Sequence, residues 1–121
     1  MDSIYKEELL ETYKNPKHKG TIKNPTVIQQ GENPFCGDEV TLQLKVEKGI
    51  IKEAKFKGVA CAVSVISSEK LLEFIEGRTV EDALNLKQEN LLELLGITVS
   101  MTRLRCATLV LTALKKALEK I

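Results

Sequence analysis

The chain has 121 residues, 43% hydrophobic and 29% charged, with a net charge of +1; this length argues for one domain over residues 1–121, able to bury a core without staples. The charge balance offers no basic field for nucleic acid, and 4% aromatics without tryptophan offer no stacking platform, so no nucleic-acid partner is expected. No stretch approaches the roughly 20 apolar residues of a spanning helix, and the acid-bearing N-terminus does not read as a signal peptide; a cytoplasmic protein without a membrane partner is expected.

"DSIYKEELLETYKNP" places Ile4, Tyr5, Leu9 and Tyr13 near helical spacing, with Asp2 or Ser3 as cap and Pro16 as stop. "KNPKHKGTIKNP" carries Asn-Pro twice and reads as a loop, in which His18 is expected to be solvated. "TVIQQGENP" reads as an edge strand ending at Gly31. In "EVTLQLKVEKGIIKEAKFKG", Val40, Leu42, Leu44 and Val46 alternate with polar residues, Lys48-Gly49 reads as a turn, and Ile50 to Phe56 returns as a second strand. One face of this hairpin is wet, with Lys45, Lys48, Lys52, Lys55 and Lys57 on it, so the sheet is antiparallel and covered on one side.

From Gly58 the period becomes helical. "ACAVSVISSEKLLEFIEG" places Val65, Leu72 and Ile75 on an apolar face and stops at Gly77. Thr79 and Asp82 form an acid-type capping box before a short helix, and "NLKQENLLELLG" gives another ending at Gly96. "TRLRCATLVLTALKKALEKI" is the strongest helix, with Ala107, Val110, Leu111, Leu114, Ala117, Leu118 and Ile121 as one stripe. Strands first and helices afterwards give an α+β fold, a small three-stranded antiparallel sheet with helices packed on one face.

Three cysteines in a reducing compartment point to metal or thiol chemistry and away from a disulfide framework. Cys36 precedes the hairpin, Cys61 follows it at a helix start, and Cys106 lies near the start of the last helix. The entry to the first hairpin strand and the exit from the second lie at one end of the sheet, so Cys36 and Cys61 are expected as neighbours. Cys106 joins them if the last helix packs with its N-terminus there. A helix N-terminus favours thiolate, and thiolates bind zinc or iron. Gly37 lets the chain turn between Cys36 and Asp38, so Asp38 is the candidate oxygen ligand; on a soft-metal site an oxygen suggests a position meant to be released. Free cysteines also serve as plain core residues, and an aspartate here also serves as a turn residue, so spacing alone leaves both readings open.

"YKEELLETYKNPKHKG", "NPFCGDEV", "FKGVACAVSVISSEKL" and "RLRCATLVLTAL" together resemble the U-type iron–sulfur cluster assembly scaffolds, the IscU, SufU and NifU N-terminal group, over nearly the whole chain. The resemblance implies Cys36, Asp38, Cys61 and Cys106 as ligands of a [2Fe–2S] cluster, or of zinc in its absence. It implies sulfur accepted from a pyridoxal-phosphate (PLP)-dependent cysteine desulfurase and cluster transfer to apo iron–sulfur proteins; Cys106, expected near a helix N-terminus, and Cys36 are the candidate persulfide acceptors. In the family the aspartate is associated with cluster lability. A homodimer is compatible with it. Two departures stand out. Arg105 occupies the place of a histidine in the IscU branch and cannot bind a metal. "VSMTR" replaces that branch's Hsp70-recognition stretch, which argues against a dedicated Hsp70 chaperone. The third cysteine motif is SufU-like, yet the SufU insertion before it is missing. The alternative is therefore a zinc-dependent sulfurtransferase or sulfur acceptor of the SufU type, with a structural zinc module as a third reading; a scaffold is not itself an enzyme.

Overall fold

A computed structural model describes residues 3–33, 37–58, 61–96 and 99–121 of the chain. The elements run α1 (Ser3–Lys14), β1 (Val27–Asn33), β2 (Asp38–Glu47), β3 (Ile50–Lys57), α2 (Ala62–Ile75), α3 (Val80–Leu84), α4 (Gln88–Leu95) and α5 (Met101–Glu119). The sheet has the order β1-β2-β3 and both pairings are antiparallel, as the α+β reading expects. The edge strand β1 continues past Gly31 to Asn33, where it pairs with Asp38. The cap expected at Asp2 lies outside the described residues.

The hairpin closes at Lys48 (φ 52) and Gly49 (φ 76), the double positive φ of a turn whose twist matches the strands. Val40, Leu42 and Leu44 point inward from β2, and Ile51, Ala54 and Phe56 from β3. Ile51 and Ala54 are three residues apart and could not share a face of a regular strand. A register shift at Lys45/Val46 absorbs the extra residue and turns both into the core.

The main sheet-facing helix contacts come from α5, against β1 and β2, and from α2, against β3. The core is aliphatic: Leu42, Leu44, Ile51, Leu72, Ile75 and Leu114 are fully buried. The stripe expected on α5 is buried from Ala107 to Leu118, but Ile121 is exposed because it lies beyond the helix end at Glu119. Leu109 and Ala113 are buried as well, since α5 is packed on one side by the sheet and on another by α2 and α4. Tyr13, expected on the inner face of α1, is exposed, whereas Leu9 is buried.

The outer face of the sheet is less wet than the alternation implies. The loop between α1 and β1 runs along β3 and across this face. Phe56 N–H donates to the His18 carbonyl (2.9 Å), and Gly20 N–H to the Phe56 carbonyl (2.8 Å). Ile22 N–H donates to Gln43 Oε1 (2.7 Å), so Gln43 is buried on the side read as solvent. Lys45 and Lys55 donate to the loop carbonyls of Asn24 and Lys17.

Candidate metal centre

The hairpin brings the start of β2 and the exit of β3 to one end of the sheet. Asp38 opens β2 directly after Gly37, whose φ of 72 is the left-handed turn that glycine permits. At the other strand, Gly58 (φ 138) passes so close to β2 that a Cβ there would stand 2.5 Å from the Glu39 carbonyl oxygen. This contact delivers Cys61 onto Asp38. Cys61 is the N-cap of α2, with extended φ/ψ of −71 and 168. Its amide donates to Asp38 Oδ1 (3.0 Å), so the carboxylate sits at the positive end of a 14-residue helix.

Cys106 comes from α5, which lies against α2. An oxygen of Asp38 and the sulfurs of Cys61 and Cys106 lie within 4.8 Å of one another. Ligands of one tetrahedral ion at bond lengths of about 2.3 Å stand roughly 3.7 Å apart, so modest side-chain rotation suffices to close this set on one ion. Asp38 and Cys106 are buried and Cys61 is half-buried. Two sulfurs and a carboxylate suit zinc or iron better than magnesium or calcium. Cys36, two positions before Asp38, lies outside the described residues.

Cys106 does not sit at a helix N-terminus. It is the sixth residue of α5, beyond the first turn where the helix dipole acts, and it is 1% exposed. The helix-terminal position belongs to Cys61, the N-cap of α2. Arg105, next to Cys106 in the chain, is exposed.

One polar side chain binds the cluster together. Ser64 Oγ donates to Asp38 Oδ2 (2.7 Å), lies 3.1 Å from the Cys106 carbonyl oxygen and 3.5 Å from Cys61 Sγ. Sequence reasoning missed Ser64: a serine three residues after Cys61 stands on the same face of the next helical turn, but that spacing alone does not mark it. Ser67, one turn further, donates to the Ala107 carbonyl and ties α2 to α5 without touching Asp38.

His18, expected in solvent, is 9% exposed. Its Nδ1 pairs with Glu69, its Nε2 with Glu76 Oε1 (2.7 Å), and its own amide donates to Glu69 Oε1 (2.6 Å). Burial by itself lowers the imidazole pKa, but the hydrogen bonds and charges of Glu76 and Glu69 outweigh it and leave the pKa raised above 6.5. No helix of the described residues is long and apolar enough to cross a membrane.

A family model for the NifU-like N terminal domain matches residues 4–121. The Thermotoga maritima iron-sulfur cluster assembly scaffold protein IscU is 36% identical over 134 residues, covering 98% of this chain and 94% of its own. The Bacillus subtilis zinc-dependent sulfurtransferase SufU is 29% identical over 137 residues, covering 99% and 92%. The crystal structure of a nitrogen-fixing NifU-like protein (N-terminal) from Brucella abortus superposes with a TM-score of 0.82 over 98% of this chain and 94% of that one; at 20% identity this is a likeness of fold. By its matched length and its fold, the chain belongs to the NifU-like N-terminal domain family.

Proposed function

We propose that the protein is an iron–sulfur cluster assembly scaffold. It accepts sulfur from a PLP-dependent cysteine desulfurase, builds a [2Fe–2S] cluster on Cys36, Asp38, Cys61 and Cys106, and passes it to apo-proteins. The observation that carries this reading is the approach of Asp38, Cys61 and Cys106 to within 4.8 Å at one end of the sheet. A reducing cytoplasm suits it, because the ligands must remain thiols.

The chain's own residues supply three things. Cys61, at the N-terminus of α2, is half-buried and so accessible enough to meet iron. Asp38 contributes a harder oxygen that a partner's thiolate can displace from a soft metal. Cys36 and Cys106 are the candidate sulfur acceptors. The acceptor thiolate attacks the outer sulfur of the desulfurase persulfide, the S–S bond breaks, and the desulfurase thiolate leaves. Each transferred sulfur then needs two electrons from an external reductant to become sulfide. In the absence of a cluster the same four residues would serve as ligands to zinc.

Arg105 favours a second reading. It cannot supply the metal-binding nitrogen that the resemblance puts beside the third cysteine, so a zinc-dependent sulfur acceptor is the alternative. Anaerobic reconstitution with iron, cysteine and a desulfurase separates the two. A scaffold develops a visible cluster spectrum, loses it in Cys61→Ser, and loads an apo-ferredoxin. Retained zinc, faster desulfurase turnover and no transfer support the sulfur acceptor.

A further inference from the structure

We propose that Ser64 is a positioning residue that makes Asp38 a releasable ligand, by offering the carboxylate a partner to return to when a metal leaves. The inference rests on the ligand role given to Asp38 above.

Asp38 is 6% exposed, so its charge has little access to water. Without donors, such a carboxylate would hold any cation tightly, because losing the ion would leave a bare buried charge. Among the described residues, two donors prevent this. Cys61 N–H reaches Oδ1 at 3.0 Å and Ser64 Oγ–H reaches Oδ2 at 2.7 Å, so both carboxylate oxygens have a protein partner.

The amide is fixed in the backbone, but the hydroxyl is not. Ser64 is itself 3% exposed and carries one proton, yet it faces two acceptors: Asp38 Oδ2 and the Cys106 carbonyl oxygen at 3.1 Å. When an ion takes an Asp38 oxygen, the hydroxyl turns its proton to the Cys106 carbonyl and is not stranded. When the ion leaves, the proton turns back and the carboxylate is satisfied again. Cys61 Sγ at 3.5 Å borders the same hydroxyl, so the switch is shared by residues of all three elements that form the site.

The consequence runs against the usual effect of removing a ligand's supporting hydrogen bond, which is weaker metal binding. Ser64→Ala raises the free energy of the metal-free protein more than that of the loaded one. Zinc should therefore bind about tenfold more tightly, the size of one hydrogen bond to a charged group.

The test is a zinc competition titration against a chromophoric chelator under reducing conditions, with a thermal melt of each metal-free variant. Four proteins are compared: wild type, Ser64→Ala, Asp38→Ala and the double variant. Ser67→Ala is the control for lost α2–α5 bonding. Expected are tighter zinc and a lower melting temperature in Ser64→Ala, unchanged affinity in Ser67→Ala, and no effect of Ser64→Ala on zinc affinity once Asp38 is gone. Unchanged or weaker zinc binding in Ser64→Ala, or a Ser64 effect on zinc affinity that survives in the Asp38→Ala background, overturns the proposal. If Asp38→Ala leaves zinc affinity untouched, the ligand reading of Asp38 fails instead, and the proposal fails with it.

Discussion

A side chain at position 58 would collide with the start of β2. The close approach to the Glu39 carbonyl and the φ of 138 both exclude anything but glycine. Gly58→Ala should cost about 2 kcal/mol or more in a urea melt and reduce zinc content, because Cys61 is carried on the displaced segment. A stable, fully loaded Gly58→Ala protein would show that the crossing does not position the site. The thiols differ in access, Cys61 being half-buried and Cys106 1% exposed. Timed alkylation of the metal-free protein, read by mass spectrometry, should label Cys61 well before Cys106. Equal rates would mean that α2 and α5 part readily. That the start of β2 and the exit of β3 meet at one end of the sheet was legible from hairpin logic, and Asp38 and Cys61 do meet there; the expected neighbourhood of Cys36 lies outside the described residues. Ser64 was not, because a serine beside a cysteine on a helix carries no signal until the acceptor opposite it is known.

Helix α2 owes its position to polar contacts as much as to apolar ones: Ser64, Ser67, Ser68 and Glu69 are all buried beside Leu71, Leu72 and Ile75. The His18 clamp fastens the α1–β1 loop to this helix. Glu69 and Glu76 both lie on the imidazole, and Glu76 Oε2 also accepts from Ala54 N–H (3.0 Å) on β3. The raised pKa of His18 sets the sign of its pH dependence. The stabilisation is complete below about pH 6.5, the unfolded value, and is lost as pH rises through the higher folded value. His18→Gln should therefore destabilise the protein by about 2 kcal/mol at pH 6, and by less at pH 9, in chelator-treated melts. A difference that grows with pH would contradict the clamp. None of this was legible: His18 stands 51 and 58 residues from its two partners, and a lone histidine among Asn-Pro turns looks solvated. Periodicity did reveal β2, β3 and α5, whose alternation or stripe follows directly from which face is buried. It missed Gln43, because the loop covering it has no period of its own.

At the scale of the molecule, the aliphatic core and the sulfur-bearing end are separate. Leu114→Ala, at 0% exposure, should cost about 2–5 kcal/mol in unfolding experiments while leaving zinc stoichiometry unchanged. Removing metal should do the reverse: chelator-treated protein should keep its far-ultraviolet dichroism and cooperative melt. Unfolding on chelation would instead mark a structural zinc module. The architecture could be read from element order because the strands come first and α5 and α2, the helices that cover the sheet, carry apolar faces. The loop's path across the outer face could not, since it depends on backbone hydrogen bonds that any sequence can make.

The central claim is that distant sulfurs and one carboxylate share an ion, and X-ray absorption at the zinc edge of the loaded protein tests it most directly. Expected is a first shell of three sulfurs at about 2.3 Å and one oxygen at about 2.0 Å, with one sulfur lost in Cys61→Ser and the oxygen changed in Asp38→Ala. A shell of oxygen and nitrogen alone, or one that neither substitution alters, would contradict it.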